Sequence, residues 1–200
     1  MRATRRVGAV LATVALLVGL TACAQDALAE QYREGSNKGF IAADRFQTDE
    51  IAPEKRGDAV QFTGTLDNGD VISSSDYAGQ VLVVNFWYAS CGPCIIEAPV
   101  LEQAHQSVAG EDVAFLGFNI YDQAPTSLAF ARDNAVTYPS LMSISDSDLK
   151  LAFYQHVPMT AVPSTLVIDR EGRVAARLIG SLSEPSILET LVREALAERS

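Results

Sequence analysis

Two cysteines three positions apart, in the run Cys91-Gly92-Pro93-Cys94, are the residues of this sequence best suited to chemistry. The apolar run Val81–Tyr88 ends just before them, and residues from about Gly92 to Val108 read as a helix. Cys91 therefore stands at a helix start, where backbone N–H groups lack partners and the positive end of the dipole favours a thiolate. Such a position lowers a cysteine pKa from about 8.5 to roughly 3.5–7.5. The spacing predicts an exposed nucleophile at Cys91 and, one turn further in, a more shielded resolving thiol at Cys94. Attack of Cys91 on a substrate disulfide gives a mixed disulfide that Cys94 releases, and the reverse sequence oxidises a dithiol. Pro93 fits the first turn because its missing N–H would have had no helical partner there.

The competing uses of a CxxC are half of a zinc site, a static disulfide or a copper carrier. Beyond the motif only His105 and His156 remain as ligands for a four-ligand zinc site, and no Met-rich or His-rich element accompanies the motif as a copper carrier would want. No metal or other cofactor is expected. His105 reads as a residue of the helix surface or core rim, and His156 as lying outside the catalytic set. Lys and Arg number 15 against 25 Asp and Glu, a formal charge of −10, which removes the electrostatic basis for binding nucleic acid.

With 48% hydrophobic and 20% charged residues, the chain suits one sizeable folded domain. Ala59–Leu66 and Val71–Ser73 flank Asp67-Asn68-Gly69-Asp70 and predict a β-hairpin. Val81–Tyr88, apolar without alternation, predicts a central strand covered on both faces. Val113–Ile120 reads as a second buried strand, Thr126–Asn134 and Asp148–Gln155 as helices, and Ser164–Ile168 with Val174–Ile179 as a second hairpin. A last helix over Glu184–Glu198 has Ser183 as N-cap and Pro185 in its first turn. Strands alternating with helices indicate an α/β core.

Arg2, Arg5 and Arg6 precede the apolar run Val7–Leu20, which is too short to span a membrane and reads as an export signal over residues 1–22. Leu20-Thr21-Ala22-Cys23 resembles the lipobox of bacterial lipoproteins, which implies lipidation of Cys23 and accounts for the odd cysteine. Residues 23–56 then read as a flexible tether, and 57–200 as the folded domain. The expected location is extracytoplasmic, lipid-anchored to the outer face of the cell membrane.

The run Asn85-Phe86-Trp87-Tyr88-Ala89-Ser90-Cys91-Gly92-Pro93-Cys94, with Glu97-Ala98-Pro99 and Val162-Pro163-Ser164-Thr165-Leu166-Val167-Ile168-Asp169, resembles the membrane-anchored thioredoxin-like proteins of the TlpA/ResA type. The resemblance covers about residues 57–200. It implies a thioredoxin-like α/β fold, a central mixed sheet flanked by helices with the N-terminal β-hairpin as an extension, and Cys91–Cys94 as a redox disulfide. It implies that Pro163 is a cis-proline facing the CxxC, that the backbone of Val162 presents itself to substrate together with Trp87, and that Glu97 is a buried carboxyl serving Cys94. Pro99 should kink the helix. Two positions depart from relatives: Asn85 stands where cytoplasmic thioredoxins carry an Asp, and Ser90 where many relatives carry Trp, so the surface around Cys91 should be less aromatic. The implied activity is thiol-disulfide exchange, reducing disulfides of exported proteins such as apocytochrome c with electrons from a membrane thiol donor. A disulfide-forming oxidase and a non-catalytic copper- or ligand-binding lipoprotein are the alternatives.

Overall fold

The computed structural model describes residues 40–41 and 46–198. The signal segment 1–22 and Cys23 lie outside the described residues. Among those described, a mixed sheet has the order β1-β2-β9-β8-β5-β6-β7, and β3 and β4 form a separate antiparallel hairpin. The strands are β1 (Phe40–Ile41), β2 (Gln47–Glu50), β3 (Thr63–Thr65), β4 (Val71–Ser73), β5 (Val81–Trp87), β6 (Val113–Asn119), β7 (Ser140–Met142), β8 (Ser164–Ile168) and β9 (Val174–Ile179). The helices are α1 (Gly92–Ser107), α2 (Ala124–Asp133), α3 (Ser147–Tyr154) and α4 (Pro185–Ala197). β5, β6 and β7 run parallel, while β8 is antiparallel to both β5 and β9. This is the expected thioredoxin-like α/β architecture.

Every residue of β5 is buried. Side chains alternate along a strand, so Val81 and Val83 enter one core with Leu101 and Ala104 of α1 and Leu188 and Val192 of α4. Leu82, Val84 and Phe86 enter the other with Leu116, Phe118, Leu149 and Phe153. The same alternation turns Asn85 and Trp87 toward the α1 face, and this brings polar chemistry to the helix that carries the cysteines.

Several boundaries differ from the sequence expectation for identifiable reasons. The hairpin is shorter, because Val60 and Phe62 are buried in the core and only Thr63–Thr65 pairs with Val71–Ser73. At the head of α4, Glu184 rather than Ser183 occupies the N-cap and makes no side-chain bond, with Pro185 setting the first turn. α1 continues through Pro99 to Ser107. The stretch 46–56, read as the end of a tether, is folded onto the domain: β2 pairs with β9, and the buried Arg56 guanidinium bonds Asp169 at 2.9 Å. Its pattern was concealed because a strand of four residues, Gln47-Thr48-Asp49-Glu50, carries no apolar period.

Candidate active site

The loop after β5 delivers Cys91 to the N-cap of α1, where its Sγ accepts the Cys94 N–H at 3.2 Å. Cys91 and Cys94 are joined in a disulfide. The loop itself is pinned from the loop after β6: Asp122 Oδ2 accepts the Ala89 N–H at 2.6 Å and an Asn119 side-chain N–H at 2.9 Å. Sequence reasoning missed this support, since an Asp three residues after an Asn in a loop carries no signal of a partner more than 30 residues away.

The expected difference in exposure between the cysteines is small. Cys91 is 4% exposed and Cys94 2%, so the expectation of an exposed Cys91 does not hold in the disulfide form. Trp87, Cys91 and Cys94 form one cluster, against which Tyr88, Ala89, Phe130 and Val162 pack. Ser90, Gly92 and Pro93 around the motif are exposed, so the disulfide lies just beneath an open rim. Trp87 itself is buried, with its indole N–H on Ser140 Oγ at 3.3 Å and its ring 4.2 Å from that of Phe130. It backs the sulfurs from inside and does not face substrate as expected. The rim is also more aromatic than the missing Trp at position 90 suggests: Tyr88 meets Tyr121 edge-on at 5.2 Å, and Tyr121 is 58% exposed.

The buried face of α1 consists of Cys94, Glu97, Ala98, Leu101 and Ala104, the spacing of one helical stripe. Glu97 is thus a carboxyl at a core position, 1% exposed. Its Oε1 accepts the Asn85 amide N–H at 2.8 Å and its Oε2 the Leu182 main-chain N–H at 2.9 Å. Burial pushes its pKa up to about 7, the two hydrogen bonds offsetting only part of the desolvation. Asn85 also approaches Thr165 Oγ1 at 3.1 Å. A crevice of about 10 Å³, roughly the room of one water, is lined by Asn85, Trp87, Cys94, Tyr138 and Ser140.

The Val162–Pro163 peptide is cis, and Val162 packs on the cysteine cluster. Among the described residues, neither the N–H nor the carbonyl of Val162 has a hydrogen-bond partner, whereas the Pro163 carbonyl is taken by the Gly180 N–H at 2.9 Å. His156 is half-buried beside Gln155 with its carbonyl on Arg177, and His105 packs on Phe115 and Tyr138, so neither histidine joins the site. Among the described residues, no cluster of three His, Cys, Asp or Glu could hold a metal ion.

A mixed sheet with a disulfide at the start of its first long helix, a cis-proline beside it and a carboxyl beneath defines a thioredoxin-like redox protein. The Redoxin family model matches residues 52–192, and the chain belongs to that family. It is 26% identical over 149 residues to the thiol-disulfide oxidoreductase ResA of Geobacillus kaustophilus strain HTA426, covering 74% of this chain and 83% of that protein. It is 28% identical over 131 residues to ResA of Bacillus subtilis strain 168, covering 65% and 70% respectively. Among solved structures, a DsbF homologue from Corynebacterium diphtheriae superposes with a TM-score of 0.66 at 26% identity, over 74% of this chain and 92% of that one. The chain is a TlpA/ResA-type thioredoxin-like thiol-disulfide oxidoreductase.

Proposed function

We propose that Cys91 and Cys94 are the redox pair and that the protein reduces disulfides in exported proteins, apocytochrome c among them. The observation that carries this reading is the Cys91–Cys94 disulfide at the start of α1, with Glu97 one turn beyond Cys94 on the same buried face. In the reduced form the Cys91 thiolate attacks a substrate disulfide, forming a mixed disulfide and expelling one substrate thiolate. Glu97, poised near neutrality, takes the proton of the Cys94 thiol directly or through one water. The Cys94 thiolate then attacks Cys91 Sγ, re-forms the internal disulfide and expels the second substrate thiolate. Two electrons have passed to the substrate.

The unpaired N–H and carbonyl of Val162 support extended pairing with a substrate strand next to Cys91, and the Tyr88–Tyr121 rim supports apolar contact with it. A membrane thiol donor returns the electrons. The basic and apolar N-terminus and Cys23 support an extracytoplasmic, lipid-anchored location. Insulin reduction with a dithiol reductant tests catalysis: the chain accelerates it, and Cys91→Ser does not. Equal rates for the two would remove Cys91 from the mechanism. Equilibration in glutathione buffers tests direction, and a potential near about −120 mV would make the protein an oxidase instead.

A further inference from the structure

We infer that Asp67, in the turn of the β3–β4 hairpin, is a positioning residue for the redox pair, acting by holding β7 and α2 together around Trp87. The inference rests on the reading of Cys91 and Cys94 as that pair.

Asp67 is buried although it belongs to a turn. The turn does not require it there, because Asn68 and Gly69 supply the turn chemistry: Asn68 Oδ1 accepts the Asp70 N–H at 3.0 Å and Gly69 has φ 94°. Asp67 instead docks on the domain. Its N–H donates to the Ser140 carbonyl at 2.8 Å, next to a bridge between Leu66 and Leu141. Its Oδ2 accepts the Ser127 hydroxyl of α2 at 2.8 Å, and its Oδ1 lies 3.4 Å from the Ser140 N–H of β7.

The two elements joined in this way are those that hold Trp87. Ser140 of β7 accepts the indole N–H, and Phe130 of α2, one turn beyond Ser127, lies against the indole ring. The backbone of β6 packs closely on the same indole N–H end, beside Ser140. A Cβ at Gly117 would come within 2.7 Å of the indole nitrogen, so the space there is already filled. Trp87 in turn covers Cys91 and Cys94.

An apolar cover disfavours thiolate relative to thiol or disulfide. Releasing the clamp lets water reach the sulfurs, which favours the thiolate and so the reduced pair. The hairpin thereby acts on the redox equilibrium without touching either sulfur.

The test uses the full chain in glutathione buffers, where the protein disulfide and two glutathione thiols exchange with the protein dithiol and one glutathione disulfide. Trp87 is the only tryptophan, so its emission reads both the equilibrium and its own surroundings. Asp67→Ala is expected to shift the equilibrium toward the dithiol about tenfold, about 30 mV for this two-electron couple. It should also lower the pH at which Cys91 becomes alkylatable. Asp67→Asn, which keeps an acceptor for the Ser140 N–H and a donor for the Ser127 hydroxyl, restores both readouts. Should Asp67→Ala fail to fold, Ser127→Ala decides alone, with a shift of about threefold in the same direction. A lowered melting temperature with an unchanged equilibrium constant and alkylation profile would make Asp67 merely structural and overturn the inference. A wild-type disulfide inert to glutathione would overturn the redox reading, and this inference with it.

Discussion

Asn85 donates a hydrogen bond to Glu97 at 2.8 Å between β5 and α1, so a core carboxyl near its titration point is held by an amide that cannot itself ionise. In the proposed mechanism the acid-base duty beneath Cys94 then falls to Glu97, with Asn85 as its hydrogen-bond donor. Tyr138, buried from the β7 side, has a hydroxyl pushed far above its usual range by burial, with Glu97 and Glu102 adding to it. It stays neutral and does not compete.

Glu97 makes stability depend on pH in a definite direction. Its folded pKa of about 7 lies above the unfolded value of 4.5, so the folded state binds more protons between them and stability falls as pH rises through this window. The loss amounts to about 3 kcal/mol at one pH unit per ~1.36 kcal/mol. Urea unfolding of the oxidised protein from pH 4 to 8 should show this decline, and Glu97→Gln should flatten it. The same variant should remove an inflection near neutrality in the rate at which Cys94 resolves a mixed disulfide. Equal slopes in both proteins would mean that Glu97 does not titrate there.

Replacing Asn85 with Asp puts two carboxyls within hydrogen-bond distance in the core. Like charges so close share one proton, and one of the two pKa values rises strongly. Asn85→Asp should move the neutral inflection of the resolving step upward by about one unit or more and destabilise the protein most at alkaline pH. Stopped-flow decay of a mixed disulfide, followed against pH, checks it, and an unmoved inflection would show that Asn85 does not tune Glu97.

The reach of the sequence can be judged from these same residues. Cys91 and Cys94 were legible because their spacing and their position between a strand and a helix are local. The continuous burial of Val81–Trp87 was legible because an apolar run needs no partner to be recognised. Glu97 stands three positions after Cys94, a helical spacing that puts both on one face, but its bonds to Asn85 and Leu182 join segments distant in sequence and leave no periodic trace. The same holds for Asp67 on Ser140 and Asp122 on Ala89. The substrate-facing role of Trp87 came from the resemblance alone, whereas the apolar run to which it belongs already pointed to the burial observed. Cys91 was expected at the surface from its helix-start position, which fixes its electrostatics but not what the neighbouring loops lay over it.

Arg56 ties the segment 46–56 to the rest of the domain. Its guanidinium, 4% exposed, bonds Asp169 Oδ2 at 2.9 Å and Glu198 Oε1 at 2.6 Å, tying the segment before the hairpin to the β8–β9 turn and the end of α4. Breaking one side of a buried pair leaves a charge without its partner and costs about 3–5 kcal/mol. Arg173 also bonds Asp169 at 2.9 Å, so Arg56→Ala should fall at the low end, about 3 kcal/mol by urea unfolding. A chain beginning at residue 46 should accordingly be far more stable than one beginning at 57. Equal unfolding midpoints would return residues 46–56 to the tether.

Gly117 offers the sharpest test of how tightly Trp87 is held. It sits on β6 opposite Asn85 of β5 and Ser140 of β7, and a Cβ there would run into the Ser140 hydroxyl as well as the indole nitrogen at 2.7 Å. Neither is the loose end of a flexible chain, since the indole is packed on Phe130 and the two polar atoms are bonded to each other. Overpacking of this kind costs about 1–3 kcal/mol. Gly117→Ala should therefore lower stability by that amount, break the Trp87–Ser140 bond and shift Trp87 emission in the oxidised state, all without altering either cysteine. If emission and stability both match the wild type, the indole has room to move, and Trp87 is not held tightly between Ser140 and Phe130.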